Sequence, residues 1–186
     1  MRLFVGIPLE GETHAVLAKL LPELRQRLPS CRWVNPDNLH LTLRFLGEVP
    51  DDLLPEIQCW FQQGVAPTEF KSLKLVRTGL FKHRERLVFW CGVRAGNWLA
   101  ELADRLAGPV ANVPAEQRAF VPHLTLGRCR VFPDNQKELE EFQKYFSQLE
   151  LQRAEQTNVR AVLYASELTP NGSVYRELMS MGPTLE

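Results

Sequence analysis

One tetrapeptide occurs twice in this chain, as His40-Leu41-Thr42-Leu43 and as His123-Leu124-Thr125-Leu126, 83 residues apart. If both copies are strands, the pleat turns His and Thr to one face about 6.5 to 7 Å apart and both Leu to the other. The surroundings repeat as well. Arg86-Leu87-Val88-Phe89 echoes Arg2-Leu3-Phe4-Val5, and Pro50-Asp51 and Pro133-Asp134 each begin ten residues after a histidine. The chain therefore reads as a duplication, strand, helix, His-x-Thr strand, helix, strand, in halves of roughly 1–80 and 86–168. At 186 residues and 45% hydrophobic it is long enough for one substantial core, so a single domain is expected.

Periodicity fills in the elements. Residues 2–8 are an apolar run closed by Pro8, a first strand buried on both faces. Val16, Leu17, Leu20, Leu21, Leu24 and Leu28 mark the inner stripe of a helix from Glu12 to Leu28, which Pro22 should kink or divide. Cys31 to Val34 reads as a short edge strand, and Asn35-Pro36-Asp37-Asn38 as a turn into the strand Leu39–Leu46. Pro50-Asp51-Asp52 opens a helix with Leu53, Leu54, Ile57, Phe61 and Val65 inward, followed by a strand over 70–80. In the second half Trp98, Leu99, Leu102 and Leu106 line one helix, and Leu139, Phe142, Phe146 and Leu149 another that opens at Pro133-Asp134. A strand-like stretch 152–168 and a hairpin from Tyr164 to Met181, turning at Thr169-Pro170-Asn171-Gly172, complete the chain.

Composition excludes more than it selects. Lys plus Arg equal Asp plus Glu at 22 each, so any anion site must come from local clustering. Cys31, Cys59, Cys91 and Cys129 are far apart with no C-x-x-C pair, which reads as free thiols in a reducing compartment. Pro8, Glu10 and Glu12 cut the N-terminal apolar run too short for a leader, and no stretch reaches membrane-spanning length. A soluble cytoplasmic protein is expected.

Two units related by an approximate twofold axis would bring their His-x-Thr strands together, gathering two imidazoles and two hydroxyls in one cleft. Histidine serves as acid or base near neutrality, so the set suits acid-base chemistry on a phosphate. A metal site is the weaker reading, since there is no H-x-H, no H-x-x-x-H and no carboxylate at matching spacing. Arg44 shares the strand parity of His40 and Thr42 and is a candidate to line the cleft. Phe81-Lys82-His83-Arg84-Glu85-Arg86 reads as a basic loop headed by an aromatic, which makes Phe81, Lys82 and Arg84 candidates for RNA contact. His14, on a helix, is assigned nothing.

Asn38-Leu39-His40-Leu41-Thr42-Leu43 with Phe45-Leu46-Gly47-Glu48-Val49, and Pro122-His123-Leu124-Thr125-Leu126-Gly127-Arg128, resemble the paired signatures of the 2H phosphoesterase superfamily. Within it they are most similar to the LigT/ThpR-like RNA 2′,3′-cyclic phosphodiesterases, also called 2′-5′ RNA ligases. The resemblance spans nearly the whole chain. It implies a bilobal α+β fold with antiparallel sheets and flanking helices around a central cleft. It also implies hydrolysis of a terminal RNA 2′,3′-cyclic phosphate to a 2′-phosphate, with reverse 2′-5′ joining as a further capacity and no metal or cofactor. Carried over by position, His40 is the proton donor, His123 the proton acceptor, Thr42 and Thr125 hold phosphate oxygens, and Arg128 is the phosphate-binding arginine. Regular alternation would point Arg128 away from the cleft, so a bulge or strand end at Gly127 is expected to turn it in. A monomer acting on RNA ends is expected. Another activity of the superfamily, on 2′-5′ oligonucleotides or small cyclic nucleotides, and a non-catalytic RNA-binding module remain the alternatives.

Overall fold

The computed structural model describes residues 1–132, 134–170 and 172–183. Pro133 and Asn171, assigned above to a helix opening and a turn, lie outside the described residues. The first half contains β1 (Arg2–Pro8), α1 (Gly11–Arg27), β2 (Arg32–Trp33), β3 (His40–Glu48), α2 (Leu54–Val65) and β4 (Leu73–His83). There follow β5 (Arg86–Ala95), α3 (Asn97–Leu106), β6 (His123–Arg130), α4 (Gln136–Ser147), β7 (Glu155–Gln156), β8 (Ala161–Thr169) and β9 (Gly172–Met181). The fold is α+β: all recorded strand pairings are antiparallel, in the order β7-β4-β5-β6-β3-β1-β8-β9, with β2 also on β6.

The half-sheets meet at β3 and β6, where a single register pair, Leu41 with Leu124, joins them. Beyond that point the two strands part, and β2 takes over the vacated edge of β6 through Arg32 opposite Arg128 and Trp33 opposite Gly127. Trp33 packs so closely that a Cβ on Gly127 would lie 2.5 Å from its ring, which accounts for glycine there. One sheet face carries Leu3, Val5, Ile7, Leu41, Leu124, Phe89 and Leu163 into the core beneath the helices, whose stripes Leu17-Leu21-Leu24, Ile57-Phe61-Val65, Leu99-Leu102-Leu106 and Leu139-Phe142-Phe146 are buried with them. The opposite face carries both histidines.

Several sequence expectations change. Pro22 sits inside an undivided α1. The stretch 152–168 is two strands, β7 and β8, and β4 begins at Leu73 and runs on to His83. Phe81 to His83 are therefore strand, and the basic loop contracts to a tight hairpin at Arg84-Glu85, with Arg84 at φ 51°. Leu149 lies beyond the end of α4. The four cysteines are not all free, because the β2–β6 pairing brings Cys31 and Cys129 together as a disulfide across 98 residues, Cα to Cα 4.6 Å. Cys59 is exposed and free. Cys91 is free and fully buried, its thiol pushed up to about 12 by burial.

Candidate active site

The register pair Leu41–Leu124 fixes how the two repeated tetrapeptides face each other. In an antiparallel pair it sets His40 level with Thr125 and Thr42 level with His123, all on the face away from the helices. The histidines are thus diagonal neighbours, roughly 7 to 8 Å apart at the backbone, with a hydroxyl beside each.

Both strands then break their alternation at the same place. Opposite β1, Val5 pairs with Arg44 and Gly6 with Thr42, so Leu43 is an extra residue. Opposite β5, Phe89 pairs with Gly127 and Trp90 with Thr125, so Leu126 is an extra residue. Each bulge reverses the facing of the residues that follow, on β3 as far as Leu46, a second extra residue. On β6 it brings Arg128 to the histidine face, its Nη2 3.4 Å from the Thr125 hydroxyl, as expected of a bulge near Gly127. On β3 it sends Arg44 to the helix face. Arg44 is 3% exposed, donates to the Pro114 carbonyl and pairs with Glu116 at 3.5 Å. The expectation that Arg44 lines the cleft is therefore corrected: strand parity fails because Leu43 is the extra residue. Phe45 takes the position equivalent to Arg128.

Each imidazole is held in the same way. His40 Nδ1 lies 2.7 Å from the Asn38 carbonyl, and His123 Nδ1 lies 2.7 Å from the Val121 carbonyl. A carbonyl oxygen only accepts, so Nδ1 donates and Nε2 is left as the working nitrogen of both rings. Their surroundings differ. His40 is walled by Phe4 at 4.8 Å, Tyr175 edge-on at 5.2 Å and Tyr164 at 6.4 Å between ring centroids. Burial holds its pKa below the usual histidine value; the Asn38 carbonyl bond pulls it up and the Arg128 charge pushes it down again. His123 meets the edge of Phe81 at 5.0 Å.

Phe81 therefore lies beside the histidine pair, braced by Trp90 at 5.2 Å. Lys82 does not, because its register partner Leu87 is on the helix face. Arg84 is at the hairpin tip. Sequence reading missed Phe4, Phe45, Tyr164 and Tyr175. Phe4 and Tyr164 are register partners, whereas Tyr175 arrives with the β8–β9 hairpin, which Asn38 Nδ2 holds through a 2.7 Å bond to the Ser173 carbonyl. No short-range signal in the sequence announces that approach. Among the described residues no three His, Cys, Asp or Glu side chains gather as a metal set. The arrangement offers two proton carriers, two hydroxyls and a guanidinium on one open surface, the equipment for attack on a phosphodiester.

Comparisons with known proteins agree with this geometry. A family model described as the 2′-5′ RNA ligase superfamily matches residues 12–162. A Thermotoga maritima protein named RNA 2′,3′-cyclic phosphodiesterase is 30% identical over 180 residues, 96% of this chain and 93% of its own length. One of the same name from Methanocaldococcus jannaschii is 31% identical over 177 residues, covering 94% and 96%. The solved structure of TT0787 from Thermus thermophilus superposes with a TM-score of 0.69 at 27% identity, covering 98% of this chain and 97% of that one. Doubled His-x-Thr strands, one antiparallel sheet and a family match over most of the length lead to one conclusion: the chain belongs to the 2′-5′ RNA ligase superfamily.

Proposed function

We propose that this chain hydrolyses terminal 2′,3′-cyclic phosphates of RNA to 2′-phosphates, with His40 as proton donor and His123 as proton acceptor. The observation that carries this is the pair of imidazoles diagonal across one ladder pair, each with Nδ1 spent on a carbonyl two residues back. Relatives named for this activity support the substrate. His123 Nε2 takes a proton from water as its oxygen bonds to phosphorus. The P–O3′ bond breaks, and His40 Nε2 gives its proton to O3′. Negative charge gathering on the equatorial oxygens is met by Arg128 and the hydroxyls of Thr42 and Thr125. With the 5′-hydroxyl of a second strand in place of water, His123 takes the proton of that hydroxyl as its oxygen bonds to phosphorus, His40 again protonates the leaving O3′, and the product is a 2′-5′ junction. Run backwards with the roles exchanged, the same groups reopen it to the cyclic phosphate and the 5′-hydroxyl.

The burial of His40 opposes its role, because a depressed pKa leaves the free protein with little imidazolium at neutral pH. An anionic phosphate in the site counters this by drawing a proton onto His40, which couples substrate binding to arming of the acid.

The strand order supports reading the domain as two pseudo-symmetric halves, roughly 1–80 and 86–168, plus a C-terminal hairpin: outward from the seam, β6-β5-β4 mirrors β3-β1-β8. That one chain supplies both histidines supports a monomeric enzyme, and the protein groups named suffice without a metal. Among the described residues no helix is long and apolar enough to cross a membrane, and an RNA substrate supports cytoplasmic action. Phe81 at the cleft supports a stacking contact with the terminal base, with Arg84 near the path of the strand.

The test is incubation of an oligoribonucleotide ending in a 2′,3′-cyclic phosphate with the protein in chelator, followed by identification of the ends. A 2′-phosphate is expected. No turnover, or turnover only on addition of a divalent metal, overturns the reading.

A further inference from the structure

Beyond Thr125 the cleft face of the sheet carries a block of arginines, of which the reaction uses only Arg128. Arg128 lies between Val88 and Arg32 in register, and two residues further along, Arg130 faces Arg86. Register partners share a face, so Arg32, Arg128, Arg130 and Arg86 stand together in two rows about 6.5 to 7 Å apart. All four are exposed, and no carboxylate among the described residues forms an ion pair with any of them. Phe81 continues the Arg128 row through Val88, and His83 continues the Arg130 row through Arg86. In a chain of zero formal charge this is a local concentration of cation leading directly from the reactive groups.

We propose that this surface binds the single-stranded RNA preceding the reactive end, so that the protein acts on polynucleotide ends in preference to cyclic mononucleotides; this rests on the function proposed above. The row spacing is of the order of that between successive phosphates of an extended strand, and guanidinium forks suit phosphate oxygens. A single strand fits better than a duplex, because the terminal nucleotide must lie on the sheet with its phosphate between the histidines. Arg128 holds the reacting phosphate, while Arg32, Arg130 and Arg86 take the phosphates that precede it. The first half has no counterpart, since β3 presents Phe45 and then Glu48, the partner of Arg2. The path is therefore one-sided and sets the direction in which the strand lies.

The experiment compares a cyclic mononucleotide with a ten-nucleotide RNA ending in the same cyclic phosphate, for the wild type and for the double variant R86Q/R130Q. The variant is expected to raise KM for the ten-mer on the order of tenfold and to flatten its log–log dependence on salt by roughly 1.4, leaving the mononucleotide unchanged. Equal effects on both substrates, or none on the ten-mer, overturn the proposal. If the wild type turns over neither substrate, the reaction has been misread, and binding of a labelled ten-mer ending in a 2′-phosphate decides on the surface alone: weaker binding by the variant sustains the path, and equal binding refutes it.

Discussion

The two His-x-Thr strands share a tetrapeptide, a bulge position and the carbonyl lock on Nδ1, yet nearly everything around them differs. After the bulge β3 continues with Arg44 and Phe45, β6 with Gly127 and Arg128. One strand sends its arginine into the protein to hold Pro114 and Glu116, in the segment that leads to His123, and the other turns its arginine to the histidine face beside Thr125. The carbonyl behind His40 belongs to Asn38, whose side chain also ties down the β8–β9 hairpin; the one behind His123 belongs to the exposed Val121. Symmetry of the backbone supplies two equivalent imidazoles, and asymmetry of the neighbours makes one of them different from the other.

The sharpest test of the comparison is to remove each histidine. His40→Ala and His123→Ala are each expected to lower kcat about 10²- to 10⁴-fold, with the double variant little worse than the poorer single one, because acid and base act in one step. Additive losses would break the idea of a shared transition state. Next, Arg128→Gln should cost ~10²- to 10³-fold, while Phe45→Ala, at the equivalent position, should cost under about tenfold. Equal losses would mean that the strands are more alike than their side chains suggest.

Stability separates the halves further. Cys129→Ser should lower the unfolding free energy by roughly 2 to 4 kcal/mol in the absence of reductant, and reductant should abolish the difference from the wild type. Arg44→Met, which strands the Pro114 carbonyl, should cost about 1 to 3 kcal/mol by denaturant titration.

The smallest effect is in protonation. Followed by NMR, His40 should titrate below the free-histidine value, move upward in Arg128→Gln, and move upward again when inorganic phosphate binds the wild type. Because its folded-state pKa is depressed, the unfolded chain takes up the proton first on acidification. This contribution to stability is intact above about pH 6.5 and declines below it, and His40→Asn should remove that part of the slope.

How much of this could be read from the sequence depended on range. The helices were legible from apolar spacing, and the pairing of His40 with His123 from the repeat. Facing beyond Leu43 was not, because a bulge costs one residue of register and leaves no mark on composition; Arg44 was misassigned for that reason. The Cys31–Cys129 bond and the arginine rows depend on β2 and β5 flanking β6, and neither neighbour follows from local pattern. The bond also withdraws two of the four cysteines from the argument for a reducing compartment. Tyr175 reaches His40 because the closing hairpin curls back across the cleft, a matter of sheet twist that no window of residues encodes.

The single ladder pair between Leu41 and Leu124 has a mechanical consequence. Under load such a seam is a spot weld, and its resistance to shear comes from what spans it beside the shared core, including β2 lying against β6 with Val34 N–H bonded to the Leu126 carbonyl, the Arg44 anchor, the Arg105 bonds to Gly64 and Thr68, and the Cys31–Cys129 bond. Among these ties only the cysteine bond is covalent, and it sits to one side of the weld. A force prising the half-sheets apart would therefore turn them about the β2 side, opening the distance between the two imidazoles before it broke either half.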